Sequence, residues 1–577
     1  MLEIDKLMSA CHLIHEGQGR TLEPERASMV TRLLWTFVWF SIVAVGTNAY
    51  GSWSVWPGFN IVGPLITLLG LLGMGAVWII PVKHHRALEN ASFGAAILAV
   101  LMAEGPVLAA TGFFGTDSAA FNQRATELLV SGKNPYRAIF HPAHLLLKHA
   151  NDFWTYTLSG GHVDKVSYPA GSFLLQAPLQ ILGLRHLGTN WLDLFAWIVA
   201  AIILYLVSPW YAKWLSPLLL LASMFTYMFT FGGTDALFVP FLILAALRWD
   251  DFVIPTSLRW AKWVGPVSLG IACSIKQTPW FTVPFFIVGI VIEARHLRVP
   301  VVRTVVRYCS LVAGAFLVIN LPFILWSPGA WLRGILLPMT QPLVPDGQGI
   351  VSLVTHGLLH VVHPLELQIA GLLAMIALLA AFYFWYPLLK RSWMFAIPLI
   401  LFLPSRSLSS YLVDFIPAAF VMALTTHRVP EVWMSNRKTL LRRWAVGAPA
   451  ALSIVAVVFA FSSPPIGIRI DHYGSSPDNQ YMSDMTVTLT NQTSATILPH
   501  VMVLIGSGYP VGFWKPSNGT DQLALRAHSR LTVTLEPPKY MGAPKYHESW
   551  LVEVLTQSPA ALTTTHVLQW RFGHRNN

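Results

Sequence analysis

Charge is what this chain has least of. Only 11% of its 577 residues are Asp, Glu, Lys or Arg, against 54% hydrophobic, and mean hydropathy is +0.55. Soluble domains carry about 25% charged residues, so the deficit excludes an ordinary soluble fold and points to a polytopic membrane protein. Cysteine is scarce as well. Cys11, Cys273 and Cys309 lie far apart without metal-type spacing, which excludes a disulfide framework. Acids are outnumbered, leaving a net charge of +11. In a soluble chain that balance would suggest nucleic acid. Here the basic residues sit in short loops between apolar runs and read as orientation signals. Residues 1–32 are largely polar and offer no signal-like apolar run, and neither an internal repeat nor a low-complexity tract is present.

Apolar runs are what the chain has in plenty. A spanning helix needs about 20 predominantly apolar residues. On that rule about thirteen spans are expected, roughly 33–50, 59–81, 92–114, 191–207, 215–231, 235–248, 263–275, 279–293, 306–326, 367–388, 393–405, 411–425 and 444–462. With the N-terminus inside, the basic stretches Lys83–Arg86, Arg248–Lys262, Arg295–Arg307, Lys390-Arg391 and Arg428–Arg443 all fall on the cytoplasmic side. The expected organisation is a cytoplasmic tail 1–32, a transmembrane domain 33–463 with long outer loops 115–190 and 327–366, and an extracytoplasmic C-terminal domain 464–577. That last part alternates with period two in Met485–Thr490, Leu531–Leu535 and Leu551–Leu555, separated by turns such as Ser517–Thr520. The pattern predicts a small antiparallel β-sandwich.

The same alternation of sides places Asp117, Asp235, Lys276, the 327–366 loop and Arg406 together at the outer rim. Asp117 follows an apolar run and precedes a helical segment with Phe121, Ala125, Leu128 and Leu129 on one face, which suggests an amphipathic helix at the interface. A carboxylate there suits a general base; it equally suits a helix N-cap, shared with Thr116. Asp235 opens a span, where it either orients a hydroxyl or meets a helix dipole. Lys276 lies between two apolar spans, a costly position unless it is paired, lines a cavity or snorkels. The Arg406 guanidinium matches a phosphate in shape and charge. Gln348 and Gly349, in the turn-rich Pro342–Gly349, would offer backbone N–H groups. His356, His360 and His363 have helical spacing that a metal would accept, but no carboxylate pair or cysteine accompanies them, so no metal is expected. The aromatics Tyr509, Trp514, Tyr540, Tyr546 and Trp550 either stack on sugars or pack a β core.

Taken together, Gly112–Tyr136 (GFFGTDSAAFNQRATELLVSGKNPY) resembles the first external loop of membrane glycosyltransferases of the GT-C class, particularly the family 87 mannosyltransferase-like proteins. Gly132-Lys133-Asn134-Pro135-Tyr136 is similar to that family's Gly-x-Asn-Pro-Tyr turn. Gly232-Gly233-Thr234-Asp235, Lys276-Gln277-Thr278-Pro279 and Pro404–Tyr411 resemble further family segments, whereas Tyr168-Pro169-Ala170 departs from its Tyr-Pro-Pro. The resemblance covers roughly residues 90–430. It implies a GT-C fold and inverting transfer of a mannose-like hexose or arabinofuranose from a polyprenyl-phosphate carrier. The acceptor would be a glycan, glycolipid or protein hydroxyl at the outer face of a prokaryotic cell membrane. The implied base is Asp117, with Lys276 and Arg406 on the donor phosphate. Asp235, Asn134, Tyr136, Tyr168, Gln277, Gln348, Gly349 and His356 would bind substrate. No cofactor beyond the lipid-linked donor and no nucleic acid is implied. A transporter or flippase of lipid-linked glycans is the rival reading, and a surface-glycan polymerase or ligase the nearest one within the enzyme class. The missing repeat weighs against transport.

Overall fold

The computed structural model describes residues 24–52, 58–81, 84–110, 116–140, 154–184, 188–222, 234–257, 259–427, 439–476, 481–505, 512–520, 522–538, 544–545 and 550–567. Among these, eight helices are long and apolar enough to cross a bilayer: Met29–Gly51, Phe59–Ile79, Arg86–Ala109, Thr189–Val207, Thr278–His296, Val301–Trp326, Pro364–Phe384 and Arg443–Ala460. Each matches an expected span. Even the shortest, at 18 residues, reaches about 27 Å at 1.5 Å per residue, close to the hydrocarbon thickness.

Four other expected spans are shorter apolar helices, Ala236–Ala246, Val264–Ile275, Trp393–Phe402 and Ser409–Thr425. The run expected at 215–231 is helical over Leu215–Leu221 before it leaves the described residues. Prolines stand near the start of the α-helical part of several of these elements. Pro240, Pro284, Pro398 and Pro417 each stand in the first turn of a helix, where a missing N–H costs little. At Pro240, Pro284 and Pro398 a 3₁₀ turn runs straight into the α-helix, and before Pro417 a two-residue turn separates two helical pieces.

The first two spans pack with backbones almost in contact. A Cβ added at Gly63 would lie 2.7 Å from the Tyr50 nitrogen, and one at Gly70 would lie 2.8 Å from the Val43 nitrogen, so only glycine fits. Arg32 of the first span caps the end of the second by donating to the carbonyls of Val77, Trp78 (2.9 Å) and Ile80 (3.0 Å).

Beyond the helices, the outer loops carry their own structure. The expected 327–366 loop contains a helix, Pro328–Thr340, and two short strands, β1 (Asp346–Gly347) and β2 (Val361–Val362). Strand β3 (Arg406–Ser407) runs parallel to β1, with Asp346 opposite Arg406. The C-terminal strands are β4 (Ile466–Ser475), β5 (Met482–Asn491), β6 (His500–Ile505), β7 (Phe513–Pro516), β8 (Arg530–Glu536), β9 (Trp550–Gln557) and β10 (Ala560–Val567). The three alternating runs lie in β5, β8 and β9, and all pairings are antiparallel, as expected. The two-sheet sandwich is not what forms. One sheet in the order β2-β10-β9-β6-β7-β8-β5-β4 curls into a half-barrel, because β7 pairs with both β6 and β8 and leaves no gap between two sheets.

Trp514 and Trp550 are buried inside the half-barrel with Met485, Val487 and Val552, so they form core and not a sugar platform. Tyr509, Tyr540 and Tyr546 lie outside the described residues. The other face of the sheet docks on the outer loops. β10 pairs with β2, and Met502, Leu555 and Leu562 share a buried cluster with Phe121, Tyr156 and Val344.

At the opposite end of the helices a charged network joins four segments. Lys390 Nζ lies 2.9 Å from Asp250 Oδ2 and 2.7 Å from Glu293 Oε1, to which the Tyr386 hydroxyl also donates at 2.6 Å. Asp251 binds Arg248 and His427, each at 2.8 Å. Removing the cation from a buried pair costs about 3–5 kcal/mol. Lys390→Met is therefore expected to lower the unfolding temperature in detergent clearly; an unchanged temperature would show that water already solvates the network.

Candidate functional site

The helix Asp117–Val130 sets the site. Its N-cap is Thr116, whose hydroxyl accepts from the Ala119 N–H at 3.3 Å. Capping is thus done by the threonine, and Asp117 is free for other work. The helix is also more enclosed than an interfacial one. Asp117, Ser118, Asn122, Gln123 and Thr126 are buried along with its apolar face. Those polar side chains are answered in the protein: Asn122 accepts from Ser172 (2.7 Å), Thr126 donates to the Phe173 carbonyl (3.0 Å), and Ser118 meets Thr234 (3.0 Å).

Asp117 is 8% exposed, and its Oδ2 accepts from the Thr155 N–H at 2.8 Å. Burial pushes its carboxyl above the ordinary value, opposed by Thr155 and by the nearby Arg406 guanidinium. Tyr168 sits beside it; burial and the Asp117 charge push its phenol up to about 12.

Lys276 caps the end of Val264–Ile275 and is buried. Its ammonium pairs with Asp235 and lies over two rings, 5.5 Å from the centre of Tyr168 and 5.2 Å from that of Tyr411. Asp414, Asp193 and Asp117 are also within its electrostatic reach. Asp193 accepts from the Thr234 N–H at 2.9 Å, while its Oδ1 has no partner among the described residues. Among the described residues, neither carboxylate oxygen of Asp414, both buried, has a hydrogen-bond partner. Four acids thus surround one lysine, and the lysine is committed to Asp235.

Arg406 stands at the margin of this cluster. Its side chain keeps 21% exposure, donates to the Val344 carbonyl at 3.2 Å and lies 3.8 Å from Asp346 Oδ2, a loose contact for an ion pair. Gly347, with φ near +119°, turns the chain so that β1 can lie against Ser407.

The structure brings together Asp117, Asp235, Lys276, Tyr168 and Arg406. Other expected residues hold the scaffold. Asn134 caps the turn Pro135–Arg137 by accepting from the Tyr136 N–H at 2.9 Å, and the Tyr136 hydroxyl donates to the Tyr168 carbonyl at 2.8 Å. Gln277 donates to the Ser167 and Ile335 carbonyls at 2.6 and 2.9 Å, which uses its amide hydrogens. The Gln348 N–H is spent on the Ser407 carbonyl at 2.7 Å, and Gly349 packs against Ser407. His356 is exposed and its Nδ1 lies 3.0 Å from the Ser352 carbonyl. Gly232 and Gly233, and Gly112–Gly115, lie outside the described residues.

Asp193 and Asp414 escaped the sequence reading because each sits inside an apolar run expected to span. A lone acid in such a run is a signal in itself, the same one that singled out Lys276. Comparison with family models, curated proteins and solved structures returns no match.

Asp117 carries a stability consequence. A carboxyl with a raised folded-state value stabilises fully only below the ordinary value of 3.8, and that contribution is lost as pH rises through the raised value. Asp117→Asn keeps an acceptor for Thr155 without the buried charge. It is expected to raise the unfolding temperature at pH 7, with the gain disappearing near pH 4; a lower temperature at pH 7 would mean the charge is well solvated.

Proposed function

We propose that this chain is a membrane glycosyltransferase of the GT-C kind, moving a sugar from a polyprenyl-phosphate carrier to a hydroxyl acceptor at the outer face. The observation that carries the reading is the pairing, in one cluster at the β-domain end, of a buried carboxylate (Asp117) with a partly exposed guanidinium (Arg406). Attack of an acceptor hydroxyl on the anomeric carbon needs a base, and departure of the phosphate needs positive charge. In this reading Asp117 takes the hydroxyl proton as the new glycosidic bond forms. The anomeric carbon inverts, and the leaving phosphate keeps the electron pair of the broken bond. Arg406 holds that phosphate. Lys276 serves as counter-ion to the acids, since a phosphate placed beside it would also meet Asp193, Asp235 and Asp414.

Asp414, without a hydrogen-bond partner among the described residues and beside a buried lysine, favours a second reading, a proton- or cation-coupled transporter of lipid-linked glycans. One experiment separates the two. Purified protein in nanodiscs is offered radiolabelled polyprenyl-phosphate mannose and polyprenyl-phosphate arabinose with a glycolipid acceptor, while proteoliposomes are assayed for movement of the same lipids. Transfer that falls about 10²–10⁴-fold in Asp117→Asn, with donor KM chiefly affected in Arg406→Lys, supports the transferase. Movement across the bilayer without transfer, lost in Asp414→Asn, supports the transporter.

A further inference from the structure

The spans Pro364–Phe384 and Arg443–Ala460 lie side by side. At one end the His363 N–H donates to the Ala460 carbonyl at 2.8 Å; further along, the Ser453 hydroxyl donates to the Ala370 carbonyl at 2.9 Å. Residue numbers rise on one span as they fall on the other, so the pair is antiparallel. Beside this seam opens a groove of about 430 Å³, a volume typical of sites that hold a small organic molecule. Ile369 and Leu373 form one wall, and Leu452, Val455 and Phe459 form the other. All but Leu373 are exposed, which on two membrane spans means facing lipid. Glu366 and Leu373 stand seven residues apart, so the groove extends about 10 Å along the helix.

Its end nearest the half-barrel is polar, lined by His363, Glu366 and Ser462. Glu366 is half-buried in the first turn of its helix and has no hydrogen-bond or ion-pair partner among the described residues. His363 Nε2 lies 3.3 Å from the Ser463 carbonyl. A carbonyl only accepts, so Nε2 carries the hydrogen, and in the neutral ring Nδ1 is left as an acceptor. Among the described residues, no lysine or arginine lines the groove. The groove thus joins an apolar trough to an end that is acidic and rich in acceptors, the complement of an ammonium group with its three N–H donors.

We propose that this groove binds a membrane lipid with an ammonium headgroup, one hydrocarbon chain lying along the trough and the ammonium meeting Glu366. The charge that attracts an ammonium repels a bare phosphate, so the groove is not a channel for a polyprenyl-phosphate donor. Its direction agrees: Leu367 and Gly371, on a neighbouring face of the same helix, turn to the docking cluster and to Pro404, whereas Glu366, Ile369 and Leu373 turn to lipid. The site is therefore separate from Asp117 and Arg406, and independent of what they transfer. It sits where both spans enter the half-barrel, one just after β2 and the other just before β4, so a bound lipid would brace that junction.

The full chain, purified in detergent and stripped of lipid, is titrated by native mass spectrometry with phosphatidylethanolamine, phosphatidylglycerol and polyprenyl phosphate. Wild type is expected to hold one phosphatidylethanolamine about tenfold more tightly than phosphatidylglycerol, the size of one charge-assisted hydrogen bond. Glu366→Gln is expected to hold the two alike. Ala456→Phe, which fills the groove from its wall, is expected to lose the tight phosphatidylethanolamine; where that variant does not fold, Glu366→Gln decides. Equal affinities in wild type, or a tenfold preference that survives Glu366→Gln, overturn the proposal. Tighter binding of polyprenyl phosphate overturns it in favour of a donor channel. A dimer mass abolished by Ala456→Phe overturns it in favour of an interface between two copies of the chain.

Discussion

A charge among apolar helices must find its counter-charge inside the protein, and that constraint organises the centre of this molecule. Lys276 lies at the end of a short helix, buried away from bulk solvent. Its Asp235 partner must therefore arrive from another segment, at the start of Ala236–Ala246. To bring both to one point, helices have to begin and end within the bundle. The ion pair is the tertiary reason. The tyrosine rings of Tyr168 and Tyr411 enclose the ammonium and tie a third and a fourth segment to it. The same rule acts at the far end, where Lys390 gathers Asp250 and Glu293. The helices that carry the site are thus pinned by charge at both ends, and apolar packing fills the space between.

Much of this was open to reading, and what was missed has physical causes. The eight long helices were legible because length and apolarity are local properties, sufficient for a spanning element. The short helices stop before their apolar runs do, because such a run does not reveal where tertiary pairing will end it. Asp117, Lys276 and Arg406 stood out as polar residues at the edges of such runs. Asp193 and Asp414 sat inside runs and were absorbed by them. The β-domain strands were legible from alternation, yet their closure into one curled sheet depends on β7, four residues long. No period can be read from so short a strand. Its docking depends on β2, which is two residues long. Glu553, inside Leu551–Leu555, looked like the polar member of an ordinary alternating strand. Only the pairing of β9 with β6 and β10 shows that it is buried on the docking side, beside Met502 and Thr564.

The fate of Asn134, Tyr136 and Gln277 illustrates how a turn and a site differ. Each makes a hydrogen bond to backbone that fixes the loop bearing Tyr168 or its surroundings. A short polar motif beside a functional acid does not have to touch substrate to matter. By capping, bridging carbonyls and filling the gap under Gly334, such residues keep the acid's neighbours rigid. Preorganisation of this kind is what a charged site in a low dielectric requires.

That low dielectric also sets the chemistry open to Asp117. Burial makes its ionised form costly, which makes the carboxylate a stronger proton acceptor than one in water. The Thr155 N–H and the Arg406 charge limit the effect and keep it ionisable. Arg406 is held only loosely by Asp346, so it gives Asp117 part of its field while remaining able to turn toward an anion. In the proposed reaction these two demands meet in sequence. Before the bond breaks, the guanidinium steadies the base. As the phosphate departs, its negative charge competes for the same cation just when Asp117, having taken a proton, no longer needs it. A single arginine shared between base and leaving group would move its support along the reaction, and a firm salt bridge to Asp346 would prevent that.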